Sequence, residues 1–524
     1  MRHLLLIASL LSANLVLAAP AAAETARDDT ITIAFGAEAT TLDPIRYSAG
    51  ADSFGMSQMF EQLTRQIPPD WRQGNWLAQS WTIEGTPDRP IIDIHIRPGV
   101  TFHNGDPLTA EDFAYAYSLQ RDSRESHFPH LWTAVERFET LDPLHFRLHF
   151  SRPEGTFAVD NLRLWAIPHR YAETVGRDGF GLHPIGTGPW KFVERRIKEE
   201  LRLEAYEGYW NQDARPTIRH LVIKTIPEDL TRVAAFRTGA VDLIDAIPVA
   251  LVDEIRKMPG VKTATLNTGN NIYFNLAAHL PNSPFRDIRV RQAAVMAVDV
   301  DLILRKVLFG QGERYTEIGR GTLGFDPDLK PLPYDPKRAR ALLSEAGYPN
   351  GFDTQCYNMS TPREPNIKEL GEAVFAYLAA VGIRCKVRGL EYNAWLTMIR
   401  RVPEGAPQMD GIINGMYGHG FPGDPATAWA QTLHSWQPGR GWGASSYSND
   451  PEVDALIEAQ QAEMDIARRT SLLRQIARLK HDRVLGGLSI YRPLQTFAWH
   501  DSIAFTPWAN PGLWHQIQQI GRAH

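Results

Sequence analysis

Cysteine is scarce in this chain: Cys356 and Cys385 are the only two among 524 residues. At most one disulfide is available, and there is no catalytic cysteine context. No run of lysine and arginine is present, and the formal net charge of −5 argues against a nucleic-acid partner. Gly-x-Ser-x-Gly and His-Glu-x-x-His are both missing, which removes two common hydrolase signatures. The one extended apolar run, Leu4 to Leu17, is broken by Ser9, Ser12 and Asn14 and is too short to span a bilayer comfortably. No internal repeat or low-complexity segment appears.

What is present describes an exported globular protein. The length predicts two or three lobes, and 43% hydrophobic with 22% charged residues fits a soluble chain. Met1 to Ala23 has the layout of an export signal: a basic start at Arg2 and His3, the apolar run, and Ala21-Ala22-Ala23 for cleavage. Its removal, with Arg2, takes the net charge from −5 to −6. The first cysteine lies far downstream, so a lipid anchor is not expected, and a soluble periplasmic protein is. Cys356 and Cys385 then sit in an oxidising compartment, on two predicted strands of one βαβ unit. Neighbouring strands do not guarantee disulfide geometry, and a disulfide and two buried thiols both stay open.

The most informative stretch is Ile92 to Asp122, IDIHIRPGVTFHNGDPLTAEDFAYAYSLQRD. Ile92, Ile94 and Ile96 alternate with Asp93, His95 and Arg97, the period of a half-buried strand. Asn104-Gly105 predicts a tight turn. Thr109 with Asp112 three residues on predicts a helix N-cap whose Thr109 side chain accepts a backbone N–H. Phe113, Tyr117, Leu119 and Gln120 continue that helix. This stretch closely resembles the signature of the extracytoplasmic solute-binding proteins of peptide-type ABC importers, the oligopeptide/dipeptide/nickel family (family 5), at IRPGVTFHNGDPLTAEDF.

The resemblance extends along nearly the whole chain in the right order. It includes TLDP ending at Pro44, SQMFEQLT at Ser57 to Thr64, HPIGTGPW at His183 to Trp190 and GYWNQ at Gly208 to Gln212. It continues through PFRDIRVRQAA from Pro284, DPKRARALLSEAGYPNGF from Asp335 and the helix from Pro451. Gly186-Thr187-Gly188 is read as structural, because Pro189 removes an N–H that an anion-binding loop would need. Arg289 and Arg291 are read as locally paired helix-start residues rather than anion ligands. His145 and His149 share a strand face, but no third metal ligand is spaced near them, and no metal or cofactor is expected. The strand Thr354 to Asn358, the helix Ile367 to Val381 and the strand Ile383 to Leu390 predict a parallel βαβ unit.

The resemblance implies an α/β, two-lobed periplasmic binding protein fold (type II, cluster C) with an extra subdomain inserted in the first lobe. The expected division is 1–23 signal peptide, 24–65 and 185–268 first lobe, 66–184 inserted subdomain, 269–488 second lobe, and 489–524 returning to the first. It implies no catalysis. A peptide or peptide-like solute would be captured between the lobes and delivered to an ABC transporter permease by a monomeric protein.

The Gly-rich loop Met416 to Asp424 is the expected cleft wall, with Gly418 and Gly420 allowing close backbone approach and Tyr417, His419 and Phe421 supplying side chains. Further candidates are Glu38, at the cleft mouth or a solvated turn carboxylate, and Arg363, a carboxylate ligand or an exposed helix-start residue. Trp395 is either a cleft aromatic or a core residue. In peptide binders of this family an Asp three residues before the loop's last Asp pairs with the ligand's α-amino group. Aligned on Gly423-Asp424-Pro425, that position is Phe421, so either Glu38 or another acid takes the place of the Asp, or a less cationic or more aromatic solute is implied. The competing classes are a secreted glycosidase-like hydrolase using two carboxylates, and a sensor or chaperone for a non-peptide solute built on the same fold.

Overall fold

A computed structural model describes residues 29–47, 50–67, 72–122, 126, 129–157, 162–267, 270–319, 322–359, 366–391, 394–395, 409–418, 424–435, 447–506 and 520–523. The expected export signal lies outside the described residues.

The apolar TITIAF run becomes the strand Thr30–Phe35, with Ile31 and Ile33 fully buried. It lies between His220–Thr225 and Leu243–Ile244, parallel to both. Glu200–Ala205 and Trp190–Arg196 extend this half of the sheet antiparallel. In the other half, Asn270–Leu276 runs antiparallel to Ile412–Gly418, and Phe352–Met359 is parallel to both Ile412–Gly418 and Ile383–Leu390. The helix Ile367–Val381 links the last parallel pair, giving the expected βαβ unit. Cys356 and Cys385 are joined in a disulfide, with Cα atoms 5.3 Å apart on these adjacent strands.

One 13-residue strand, Leu488–His500, belongs to both halves. Its first residues pair with Asn270–Leu276 and Gly312–Arg314, its last with Val261–Asn267 and Leu243–Ile244. The chain therefore crosses between the halves on antiparallel passes. Thr496, buried at the crossing, shares a 2.9 Å hydrogen bond with Thr265 and donates another to Gln311.

A separate antiparallel sheet orders Ala78–Thr86, Arg89–Ile96, His145–Phe150 and Val135–Asp142 as neighbours. Ile92, Ile94, Phe146 and Leu148 turn inward under the helix Ala110–Asp122 and join the same hydrophobic core as Ile31 and Ile33. Asp112 departs from the expected cap: its carboxylate reaches back to accept from the Thr109 N–H (2.8 Å) and hydroxyl (3.0 Å), so Thr109 donates. The other Asp112 oxygen accepts from the N–H of His169, which begins the helix His169–Leu182. One carboxylate thus serves two helix starts, a tertiary demand that local spacing does not reveal.

Glu61, from the SQMFEQLT motif, is 3% exposed and accepts from four donors. Trp76 Nε1 (2.6 Å) and Tyr209 Oη (2.8 Å) reach one oxygen, while Trp210 Nε1 (2.9 Å) and Thr187 Oγ1 (2.9 Å) reach the other. The Arg65 guanidinium lies over the Trp76 ring, 3.8 Å from its centroid. Burial pushes the Glu61 carboxyl up and the four donors pull it back. The GTG loop presses on the same helix end: the Gly188 N–H donates to Met59 O (2.8 Å), and a Cβ on Gly186 would stand 2.1 Å from that oxygen. His103, from the FHNG motif, accepts the Gly186 N–H at Nδ1 (3.2 Å) and donates from Nε2 to Gly188 O (2.9 Å). The loop is structural, as read from Pro189.

Replacing Glu61 by Ala strands four donors, two of them on the fully buried Thr187 and Tyr209, and is expected to cost roughly 3–5 kcal/mol in urea unfolding, with Glu61→Gln falling between it and the parent. Burial lowers the His103 pKa from 6.5 to about 4. Between those values the unfolded chain binds a proton that the fold does not, so stability falls as pH drops through that window, by up to about 3 kcal/mol. The pH dependence of the urea midpoint should flatten in His103→Gln.

Candidate functional site

Three parallel strands of the first half end together, at Phe35, Thr225 and Ile244. Carboxyl ends of parallel strands are where α/β folds expose loops for ligands. Here the loops are gathered by Arg232, a side chain 2% exposed. Its guanidinium donates to the carbonyls of Ile226 (2.8 Å), Ala246 (3.1 Å) and Asp245 (3.4 Å) and to Asp229 Oδ1 (2.7 Å). Gly36 packs on it, since a Cβ there would lie 3.1 Å from Arg232 Nη1. Ala246 takes a left-handed φ of 46°, a strained conformation that the bond from Arg232 to its carbonyl helps to hold. Asp245 stands at this rim with Oδ1 3.8 Å from Arg232 Nε, and Gln495 of the shared strand donates to its Oδ2 at 3.3 Å. Burial pushes its carboxyl up to about 7 against the pull of Arg232.

Glu38 belongs to the loop that follows Thr30–Phe35. It is half-buried, accepts from Arg195 (3.0 Å) and from the Lys198 N–H (2.9 Å), and so is a paired carboxylate rather than a free turn residue. Arg195 also donates to the neighbouring Ala39 carbonyl, so one side chain braces the loop at two points.

On the second half, Ile412–Gly418 is held in register by Asn270–Leu276, with Asn271 opposite Tyr417 and Asn270 opposite Gly418. Further along the chain Asp424, which is 7% exposed, pairs with Arg469, 1% exposed. Arg469 Nη2 donates to Asp424 Oδ1 at 3.0 Å, and the same oxygen accepts the Ala426 N–H at 2.9 Å. Trp395 is 2% exposed in the second-half core, where its Nε1 donates to Asn414 O at 2.5 Å. Asn414 in turn donates to Asn358 (2.8 Å) and accepts the Met359 N–H (2.9 Å). Of the two roles open to Trp395, the structure assigns the core one: it backs the strand leading to Gly418.

Among the other candidates, Tyr417 and Gly418 end that strand, whereas Arg363, His419, Gly420 and Phe421 lie outside the described residues. Two residues escaped the sequence reading. Asn271 is 2% exposed, neither of its amide atoms has a hydrogen-bond partner among the described residues, and it lines a cavity of about 30 Å³ with Tyr273, Tyr315, Glu317 and Lys480. Asp245 is the other, and an aspartate closing the VDLID run carries no local sign of burial. Arg289 pairs locally with Asp287, as expected, whereas Arg291 is buried on the nearby carbonyls of Phe285 and Arg286 and also on the sequence-distant carbonyl of Arg483, a partner the local reading did not include. His145 and His149 do not act together. His145 meets Asp93 (2.8 Å), whereas His149 meets Glu139 (2.6 Å) and Arg137 (2.9 Å).

Arg469→Ala would leave the Asp424 carboxylate buried without its cation. The expected loss is roughly 3–5 kcal/mol in denaturant unfolding, with a smaller loss for the double replacement Arg469→Met, Asp424→Leu.

The model of the family described as bacterial extracellular solute-binding proteins, family 5 Middle, matches residues 73–437. Heme-binding protein A of Haemophilus influenzae is 28% identical over 440 residues, which cover 78% of this chain and 77% of that protein. The dipeptide-binding protein of Escherichia coli is 26% identical over 452 residues, covering 80% and 82%. Among solved structures, the ABC transporter-associated periplasmic binding protein DppA from Helicobacter pylori, in complex with peptide STSA, superposes with a TM-score of 0.75. It is 21% identical and covers 94% of this chain and 98% of its own.

Proposed function

The chain belongs to family 5 of the bacterial extracellular solute-binding proteins, and we propose that it captures a peptide or peptide-like small solute between two lobes and delivers it to an ABC transporter permease. The observation that carries this reading is the strand Leu488–His500, shared by two half-sheets whose loop-bearing rims stand on either side of the crossing. Few crossing passes with separate cores beyond them suit hinge closure around a ligand. In this reading residues 24–65, 185–268 and 489–524 form the first lobe, 66–184 are inserted in it, and 269–488 form the second. Among the described residues no helix is long and apolar enough to cross a membrane. Export through the N-terminal segment and residence in the periplasm complete the proposal, with the protein working as a monomer without cofactor or catalysis. Neither the family match nor the relatives support the hydrolase alternative.

For the ligand, relatives named for heme and for dipeptides leave the class broad. Phe421, where the family's peptide binders resemble one another in an Asp, favours a solute without a free α-amino group. A thermal-shift screen of the purified protein against peptides, amino-acid conjugates, sugars and chelates tests this. A solute at a hundred times its Kd should stabilise the fold by about 2.7 kcal/mol. Shifts confined to solutes without an α-amino group are expected, and Phe421→Asp should raise the shift produced by ordinary dipeptides. A strong shift with dipeptides in the parent protein would overturn the assignment of Phe421, and no shift with any class would overturn the solute-capture reading.

A further inference from the structure

The solvent-side face of the four-stranded sheet carries three metal-type donors on two paired strands. Asp93 and His95 are two residues apart on Arg89–Ile96, so their side chains share a face. His145 is the direct cross-strand partner of His95. The two imidazoles stack at 4.0 Å between centroids with 18° between planes, and both Nε2 atoms turn toward one oxygen, Asp93 Oδ1, at 3.4 Å from His95 and 2.8 Å from His145. The donor atoms of the three residues lie within 4.8 Å of one another, and this is the one such group of three found among the described residues. Asp93 is only 5% exposed although its neighbours on that face are partly open to solvent. Its second oxygen is occupied by Arg147 Nε at 2.6 Å, which fixes the carboxylate's rotation and leaves Oδ1 directed at the imidazoles. A second-layer partner that orients a ligating oxygen is a regular feature of metal sites.

We propose that Asp93, His95 and His145 form a binding site for a borderline divalent transition ion of the zinc, copper or nickel kind. Two imidazole nitrogens and one carboxylate oxygen suit such ions and not calcium or magnesium, which take oxygen donors. Binding engages the Nε2 lone pair of each neutral imidazole in its Nδ1–H tautomer, so any proton on Nε2 passes to solvent as Nδ1 takes one up with no net release, and water fills the remaining coordination positions. The site stands on the inserted sheet and uses none of the residues placed at the rims, so it does not depend on the solute-capture reading.

The test is a Cu²⁺ and Zn²⁺ titration of the chelator-stripped, desalted full chain against a chromogenic competitor, with electron paramagnetic resonance of the copper form. One tight equivalent with nitrogen hyperfine structure from two imidazoles is expected. His95→Ala and His145→Ala should each weaken it about tenfold or more, while His149→Ala leaves it unchanged. His95 is the more exposed of the two imidazoles, with a side chain 52% accessible, so His95→Ala keeps the test informative if His145→Ala fails to fold. The solute-induced thermal shift should be the same in His95→Ala as in the parent. No tight equivalent, or an equivalent that survives both His95→Ala and His145→Ala, would overturn the proposal.

Discussion

The junction of the inserted sheet with the rest of the molecule depends on one carboxylate. Glu61 is buried where its own segment meets three others, which together supply four donors: Trp76, Thr187, and the neighbours Tyr209 and Trp210. A buried carboxylate is costly unless its lone pairs are filled, so the four segments are required to arrive together. Around it, the GTG glycines admit the loop against the Met59 carbonyl, and His103 ties the same loop to the segment after the inserted sheet's second strand. Motifs that look like a functional signature are therefore largely the parts of one joint.

That joint makes the inserted sheet and the first half-sheet a single core, whereas the second half has its own. What connects them is the shared strand Leu488–His500 with its antiparallel partners and, away from it, a contact in which the Gly155 N–H donates to the Gln461 carbonyl. The contrast is physical: continuous apolar packing resists relative motion, while a few strand passes allow it. The rims are stiffened locally instead, by Arg232 under the first and by the Arg469–Asp424 pair under the second. Such bracing fixes each rim to its own half of the sheet.

Much of the fold was legible. The alternation of Ile92, Ile94 and Ile96, the βαβ unit around Ile367–Val381 and the structural role of the GTG loop follow from local rules and are found as expected. The candidate site was legible as a region more than as residues: Met416, Tyr417 and Gly418, expected in a loop, belong to the strand Ile412–Gly418 because Asn270–Leu276 pairs with them, Trp395 went to the core, and Asn271 and Asp245 were missed. Nothing in the neighbours of a single Asn or Asp reports whether distant segments will cover it.

By itself, the sequence determined whatever depends on near neighbours: strand and helix periods, the turn at Asn104-Gly105, and the motif order that identifies the family. Only the tertiary structure decided which polar groups are satisfied together. It closed the Cys356–Cys385 disulfide that strand adjacency had left open, gave Asp112 two helix starts to cap, and set His145 beside His95 and Asp93 instead of with His149. The reason is that burial and hydrogen-bond partnership are properties of segments brought together in space, and one residue of strand register decides which side chains meet.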